Sequence, residues 1–111
     1  MGCKFCATGT LGLNGNLLAG EIVEQIVHAR KICPDLCNVV FMGMGEPLDN
    51  YSNVHGAIKM MCDPQLFAMR SVSVSTVGVV PKMRKMFRDC PHVKLALSLH
   101  APTQELRQKI V

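Results

Sequence analysis

The sequence predicts an α/β fold in which parallel strands are joined by right-handed helical crossovers. Two observations lead to this prediction. Helical and strand-like patterns alternate along the 111 residues, in the order helix, strand, helix, strand, helix, strand, helix, and the connections between them are only a few residues long. Each pattern is identified from the spacing of its apolar residues.

The first half of the chain predicts two helices with one strand between them. Residues 20–33 have a helical period, carried by Ile22, Ile26, Ala29 and Cys33. The run Asn38–Met42 is short, apolar and rich in β-branched residues, and turn residues follow it, so it predicts a buried central strand. A second helix is predicted over Asn53–Met61, with Asn53 as its N-cap.

The second half predicts two further strands and two further helices. The run Ser71–Thr76 alternates, with Val on one face and Ser on the other, which predicts a strand with small polar residues on one face. Pro81 opens a third helix with a solvated basic face and an apolar side formed by Met83, Met86, Phe87 and Cys90. A last strand has its apolar side at Val93, Leu95, Leu97 and Leu99, and Thr103–Glu105 begins a helix that leads to Ile110.

Composition limits the class of protein. A chain of this length, with 49% hydrophobic residues, can form one small core. On folding it can bury about 60–65% of the surface that the unfolded chain exposes. It has no apolar run long enough to span a bilayer and no secretory signal, so we expect a cytoplasmic protein whose six cysteines are reduced. The net charge of +4 is dispersed, which permits a nucleic-acid partner without indicating one.

Three polar clusters follow the three predicted strands: Gly43–Pro47, Ser75–Gly78 and Ser98–His100. Ligands of parallel α/β proteins bind at the carboxyl ends of strands, so these clusters predict one common site. Ser75 and Ser98 are expected on the same face, opposite the Val and Leu side chains that pack under helices. A face of small residues leaves room for a ligand.

Each cluster also has a structural interpretation. The segment Gly43–Pro47 is either a turn or a backbone cradle whose N–H and C=O groups meet a ligand. Glu46 either accepts a hydrogen bond from a ligand amine or caps the next helix. His100 is either a hydrogen-bonded structural group or a catalyst.

The cysteines fall into three groups. Cys3 and Cys6 form a Cys-x-x-Cys pair in a Gly-rich loop, which is typical of metal binding or thiol–disulfide chemistry. A thioredoxin-type motif requires a strand before the cysteine pair, and no strand is predicted there. A zinc site shared with Cys33 and Cys37 would have to join opposite rims of the sheet. The remaining cysteines, on apolar helical faces, are predicted to be small buried hydrophobes: Cys62 and Cys90.

Four blocks of the chain closely resemble the radical S-adenosylmethionine (SAM) enzymes that methylate C2 of adenine in RNA, the RlmN and Cfr family. Their order and spacing also resemble those of the family, and together they extend over almost the whole chain. The blocks are Gly2–Gly9 (GCKFCATG), Asn38–Pro47 (NVVFMGMGEP), Ser75–Pro81 (STVGVVP) and Leu97–Pro102 (LSLHAP).

The resemblance implies a partial radical-SAM (β/α) barrel with about three parallel strands, a [4Fe–4S] cluster and SAM. Cys3 and Cys6 match the second and third cysteines of the Cys-x-x-x-Cys-x-x-Cys triad that ligates three irons, and Phe5 resembles a residue that shields the cluster. In the family, the fourth iron binds the amino and carboxylate groups of SAM. The positions that match SAM contacts are Gly45, Glu46, Ser75, Ser98, Leu99 and His100.

The resemblance further implies RNA partners, 23S ribosomal RNA and in many members tRNA, and an electron donor such as flavodoxin or ferredoxin, with no membrane partner. Residues 1–111 match one part of the radical SAM core domain. The first cluster Cys, the accessory domain, the later barrel strands and the methyl-carrying Cys pair have no match, so the chain contributes no catalytic residue of its own.

We therefore expect a fragment that is inactive as an isolated chain and prone to self-association through two open sheet edges. The alternative is a non-catalytic protein of the same ancestry that keeps a SAM pocket or an RNA-facing surface without a cluster. A zinc or dithiol protein is the third interpretation.

Overall fold

The computed structural model describes residues 2–63 and 66–111, and within these ranges it confirms the predicted alternation of helices and strands. Short 3-10 turns precede α1, α2 and β2, at Thr8–Leu11, Pro47–Asn50 and Met69–Ser71. The main elements are α1 (Ala19–Ile32), β1 (Val39–Phe41), α2 (Tyr51–Cys62), β2 (Val72–Thr76), α3 (Val80–Asp89), β3 (Lys94–Leu97) and α4 (Gln104–Ile110).

The three strands form one parallel sheet in the order β1-β2-β3. Phe41 is in register with Val74, and Val74 is in register with Leu95. Because all three strands run the same way, their carboxyl ends meet at one edge of the sheet. Within the described ranges β2 is the central strand and β1 pairs on one side only, so the prediction that Asn38–Met42 forms a central strand is wrong.

The core lies on one face of the sheet, beneath α2 and α3. Val72, Val74 and Thr76 of β2 are buried, whereas Ser73 and Ser75 between them are only half-buried, as the strict alternation predicts. The strand contributes its Val side chains to a cluster whose other fully buried members include Leu48, Ala57, Ile58, Met61, Met86 and Cys90.

Helix α2 begins earlier than predicted. Asn53 is not its N-cap, because the 3-10 turn Pro47–Asn50 leads directly into Tyr51, and Asn50 holds the capping position. The Asn53 amide instead acts inside the helix: its Oδ1 accepts from Ala19 N–H at 3.3 Å, and its Nδ2 donates to Asn50 Oδ1 at 2.8 Å. Asn53 therefore links α2 to the first residue of α1.

Three apolar side chains are less buried than predicted. Phe87 is 68% exposed. It follows Met86 by about 100° around α3, at the outer margin of the apolar stripe. Leu97, at the end of edge strand β3, is 50% exposed, and Leu99 lies beyond the strand and is 55% exposed. The predicted strand thus ends two residues before its last apolar position.

The prediction that the two cysteines of the helical faces are buried is confirmed for Cys90 and only partly for Cys62. Cys90 is fully buried and Cys62 is half-buried. Burial raises the pKa of both thiols, which keeps them protonated and unreactive.

No helix in residues 2–63 and 66–111 is long and apolar enough to cross a membrane.

A matched pair of isoleucines tests where the core lies. Ile58 of α2 is fully buried, whereas Ile32 at the end of α1 is 88% exposed. We expect Ile58→Ala to lower the free energy of unfolding by about 2–5 kcal/mol, because it removes buried methyl groups and leaves a cavity. Ile32→Ala should change it by less than about 0.5 kcal/mol. Urea denaturation followed by circular dichroism measures both, and equal losses would contradict the assignment of the core.

Candidate functional site

The loop after β1 adopts backbone conformations that favour glycine. Gly43 has φ +50° and Gly45 has φ +119°, both in the left-handed region. No heavy atom lies within 4 Å of a Cβ built at either position, so space beside the backbone is open there. These backbone conformations agree with the turn interpretation of Gly43–Pro47, and Gly43, Met44 and Gly45 are exposed.

Glu46 is a buried carboxylate that joins the ends of β1 and β2. Its Oε1 accepts from Leu48 N–H at 3.0 Å and caps the 3-10 turn before α2. Its Oε2 accepts from Val77 N–H at 2.8 Å, just beyond β2. The structure thus confirms the capping alternative for this residue. Because a carboxylate oxygen has two lone pairs, Glu46 retains acceptor capacity for a further donor.

Ser75 and Ser98 lie side by side, as predicted. Their hydroxyl oxygens are 3.3 Å apart, and Ser98 N–H donates to Thr76 O at 2.8 Å, which continues the sheet pairing past β3. Two neighbouring hydroxyl groups offer both donors and acceptors at the carboxyl end of the sheet.

His100 has a rare backbone conformation. Its φ is +61°, unlike that of any other non-glycine residue in the described ranges. Ala101 N–H donates to Leu99 O at 2.8 Å across it, which makes the segment a γ-turn with the strained, positive-φ hand. The turn directs the chain out of β3 toward α4.

The Cys3–Cys6 loop packs against this γ-turn. The rings of Phe5 and His100 have centroids 4.5 Å apart at an interplanar angle of 47°. Lys4 N–H donates to Ile110 O at 2.9 Å at the end of α4. The cysteine pair is therefore held near the carboxyl end of β3, beside the polar clusters that follow the strands.

The loop itself is a tight turn. Cys6 N–H donates to Cys3 O at 3.1 Å, and Gly9 N–H donates to Cys6 O at 3.0 Å. A Cβ at Gly9 would lie 3.2 Å from Cys3 O and 3.6 Å from Cys6 Cβ. Gly9 therefore allows the backbone to approach the cysteine pair closely, and Cys3 is buried beneath it.

Thiolates at Cys3 and Cys6 are suitable ligands for iron or zinc. Within residues 2–63 and 66–111 no group of three or more His, Cys, Asp and Glu side chains could hold a metal ion. The donor set that these residues offer is thus a partial one of two thiols. Cys33 and Cys37 are exposed and lie beyond the end of α1, before β1 begins.

A cavity of about 380 Å³ lies between the chain before α1 and the β1 strand with its loop. Its walls are mainly apolar and its rim includes the Gly43–Glu46 peptide groups. The lining residues opposite β1 come from the segment before α1 and from α1 itself: Leu13, Gly15, Asn16, Leu17, Ile22 and Ile26. The sequence pattern did not predict this cavity, because the segment before α1 has no periodicity.

The sequence model of one family, described as the Radical SAM superfamily, matches residues 1–111. The chain belongs to the radical SAM superfamily. A crystal structure of a radical SAM methyltransferase from Sphaerobacter thermophilus has the same arrangement, with a TM-score of 0.93 and 43% sequence identity. It is matched over 99% of this chain and 34% of its own.

Curated relatives of this radical SAM chain carry a more specific description. A protein of Bifidobacterium adolescentis, described as a probable dual-specificity RNA methyltransferase RlmN, is 49% identical over 100% of this chain and 32% of its own length. A protein of Saccharopolyspora erythraea with the same description is 48% identical over 100% of this chain and 34% of its own length. The chain thus spans about a third of the length of the curated relatives it matches.

Two groups in this radical SAM chain have no sequence signal: the backbone of Val77 and the side chain of Arg107. Arg107 Nε donates to Leu99 O at 3.2 Å, and its Nη2 donates to Val77 O. Neither has a local signature, because both act through partners that are distant in sequence. Only their hydrogen bonds in the folded chain identify them.

The close contact at Gly9 gives a prediction for the cysteine loop. Gly9→Ala should press the new methyl group against Cys3 O and open the loop, whereas Gly15→Ala has no atom within 4 Å to meet. A local loss of about 1 kcal/mol exposes Cys3 roughly fivefold more often. Alkylation of Cys3, followed by mass spectrometry, should accelerate by that factor in Gly9→Ala alone. Equal rates in the two variants would show that the loop tolerates a side chain there.

Proposed function

We propose that residues 1–111 are the part of a radical SAM RNA methyltransferase core that binds SAM and two corners of a [4Fe–4S] cluster. The observation that carries this proposal is the contact between Phe5 and His100, with ring centroids 4.5 Å apart. It joins the cysteine loop to the carboxyl ends of the strands, where ligands of parallel α/β proteins bind. Superfamily membership and the names of the relatives support the same function.

Cys3 and Cys6 are the proposed cluster ligands. Their thiolates suit the soft iron–sulfur core, and further ligands must come from outside the described residues. When bound and reduced, such a cluster supplies the electron for cleavage of SAM. The cysteine loop holds the ligands in place through the tight turn at Gly9, and Phe5 covers one side of it.

The proposed SAM site lies along the strand ends. The exposed peptide groups at Gly45 and the free lone pairs of Glu46 are suited to the amino group of the methionine moiety. The hydroxyls of Ser75 and Ser98 offer hydrogen bonds to its polar groups. We also assign Leu99 and His100 to this site, because their turn joins it to the cysteine loop.

We propose adenine C2 of 23S ribosomal RNA, tRNA or both as the methyl acceptor, since the relatives are described as dual-specificity RNA methyltransferases. No cysteine of this chain is assigned as the methyl carrier. Cys62 and Cys90 are protonated by burial, and Cys33 and Cys37 lie beyond α1, away from the strand ends. We propose that methyl transfer needs protein segments beyond these residues.

One observation favours a second candidate, a protein that binds SAM or RNA without a cluster. Cys3 and Cys6 have no third His, Cys, Asp or Glu beside them in the described ranges. A two-thiol set holds a cluster less firmly than three ligands do. Cluster assembly therefore distinguishes the two candidates.

Anaerobic reconstitution with iron and sulfide in excess small-molecule thiol tests the cluster proposal. We expect about four irons and four sulfides per chain, with the absorption and EPR spectra of a [4Fe–4S] centre. Cys3→Ala should lose this iron, and Cys33→Ala should retain it because that thiol is exposed beyond α1. Failure of the unmodified chain to bind iron would favour the cluster-free candidate, and equal iron in both variants would refute the ligand assignment.

Titration calorimetry with SAM tests the strand-end site. Ser75→Ala should raise the Kd for SAM about 2–10-fold, because one hydrogen bond is worth about 0.5–1.5 kcal/mol. Ser73→Ala is the matched control, since it lies on the same strand and face but two residues further from the carboxyl end. Equal effects of the two substitutions would place SAM elsewhere.

A further inference from the structure

The γ-turn at His100 is a strained conformation that needs support. A positive φ is unfavourable for any residue with a Cβ, and the single bond from Ala101 N–H to Leu99 O at 2.8 Å closes the turn. Such conformations persist where surrounding groups over-determine them. The neighbouring ring of Phe5 contacts the His100 side chain and does not hold the backbone carbonyl of the turn.

Arg107 supplies that support. Its Nε donates to Leu99 O at 3.2 Å, so this carbonyl accepts both the closing bond of the turn and a guanidinium hydrogen bond. Its Nη2 donates to Val77 O. A planar guanidinium has donors at fixed angles, so it sets the distance between two carbonyls in a way that one ammonium nitrogen cannot.

The backbone of Val77 extends this contact to the loop after β1. Its N–H donates to Glu46 Oε2 at 2.8 Å, and its C=O accepts from Arg107. The two peptide groups that flank the Val77 Cα are therefore held from opposite sides, one by a carboxylate from the loop after β1 and the other by a guanidinium from α4. Through Leu99 O the same guanidinium also reaches the end of β3. The three strand ends are thus fixed relative to one another by a single continuous set of hydrogen bonds.

Arg107 is itself held in place by the start of α4. Thr103 caps the helix by accepting from Leu106 N–H at 3.4 Å, and Arg107 N–H donates to Thr103 O at 3.0 Å. The Arg107 side chain therefore extends from an anchored first turn, and this arrangement directs it back to the sheet edge.

We propose that Arg107 is a positioning residue. It maintains the His100 γ-turn and so keeps the His100 ring against Phe5 of the cysteine loop, at a fixed position relative to Glu46. The consequence for ligand binding rests on the proposed SAM site. The positioning itself is a property of the ligand-free chain. Arg107 is not proposed to touch SAM or the cluster.

The test compares the 111-residue chain with Arg107→Ala, Arg107→Lys and the control Lys109→Ala, an exposed residue of the same helix. In ligand-free NMR spectra we expect both Arg107 variants to lose the nuclear Overhauser effects between the Phe5 and His100 rings and the ring-current shift of the His100 protons. The Val77 amide should also exchange faster. Lys109→Ala should retain all three signals. If Arg107→Ala fails to fold, Arg107→Lys, which keeps the charge and the aliphatic stem, decides alone.

Retention of the ring contacts and of the slow Val77 exchange in a folded Arg107→Ala variant would overturn the proposal. Retention in Arg107→Lys would overturn it as well, because a single nitrogen would then suffice and the guanidinium would not be what positions the turn. Titration with SAM separates this outcome from failure of the proposed function. If the turn is formed only about one-fifth of the time, the Kd for SAM rises roughly fivefold in the Arg107 variants. If the unmodified chain does not bind SAM, the proposed function fails, and the NMR comparison still decides whether Arg107 positions the turn.

Discussion

The parallel pairing of β1, β2 and β3 determines the position of every polar group in the candidate site. Because each strand ends at the same edge, the segments that follow them are brought together although they are far apart in sequence. The hydrogen bonds of Glu46 and Arg107 then fix these segments to one another. Had one strand run the other way, Ser75 and Ser98 would lie at opposite ends of the sheet. The site is therefore a consequence of strand direction first and of side-chain chemistry second.

Much of the fold could be predicted because local patterns carry it. The Val/Ser alternation of β2 identified both its buried and its open face, and Thr103 marked the start of α4 as its capping residue. Asn53 was misassigned because the 3-10 turn at Pro47–Asn50 extends the helical path toward β1, and a local pattern does not show where such a turn merges with a helix. The central position expected of β1 depends on strand order, which no single strand encodes.

The candidate site likewise has features that the sequence predicts and features that it does not. Strand-end clusters could be identified because parallel topology places them together, and the proximity of Ser75 and Ser98 follows from the register of β2 and β3. The roles of Val77 and Arg107 could not be identified from the sequence, because each residue bonds to atoms of a different element. The cysteines also differ by location: Cys62 and Cys90 lie at the ends of α2 and α3, where burial raises the pKa of their thiols, and Cys3 and Cys6 lie in a turn beside the strand ends.

The order of strands in the sheet is also their order in the chain. No strand has to enter between two that are already paired, so each β-strand with its helix can dock on the unit before it. Val39 pairs with Val72, and Ser75 pairs with Ala96, so every pairing joins consecutive units. Each pairing still joins residues that are distant in sequence, and the formation of such non-local contacts in a parallel sheet is slow. During synthesis on the ribosome, such a sheet can grow strand by strand, in the order in which the chain emerges.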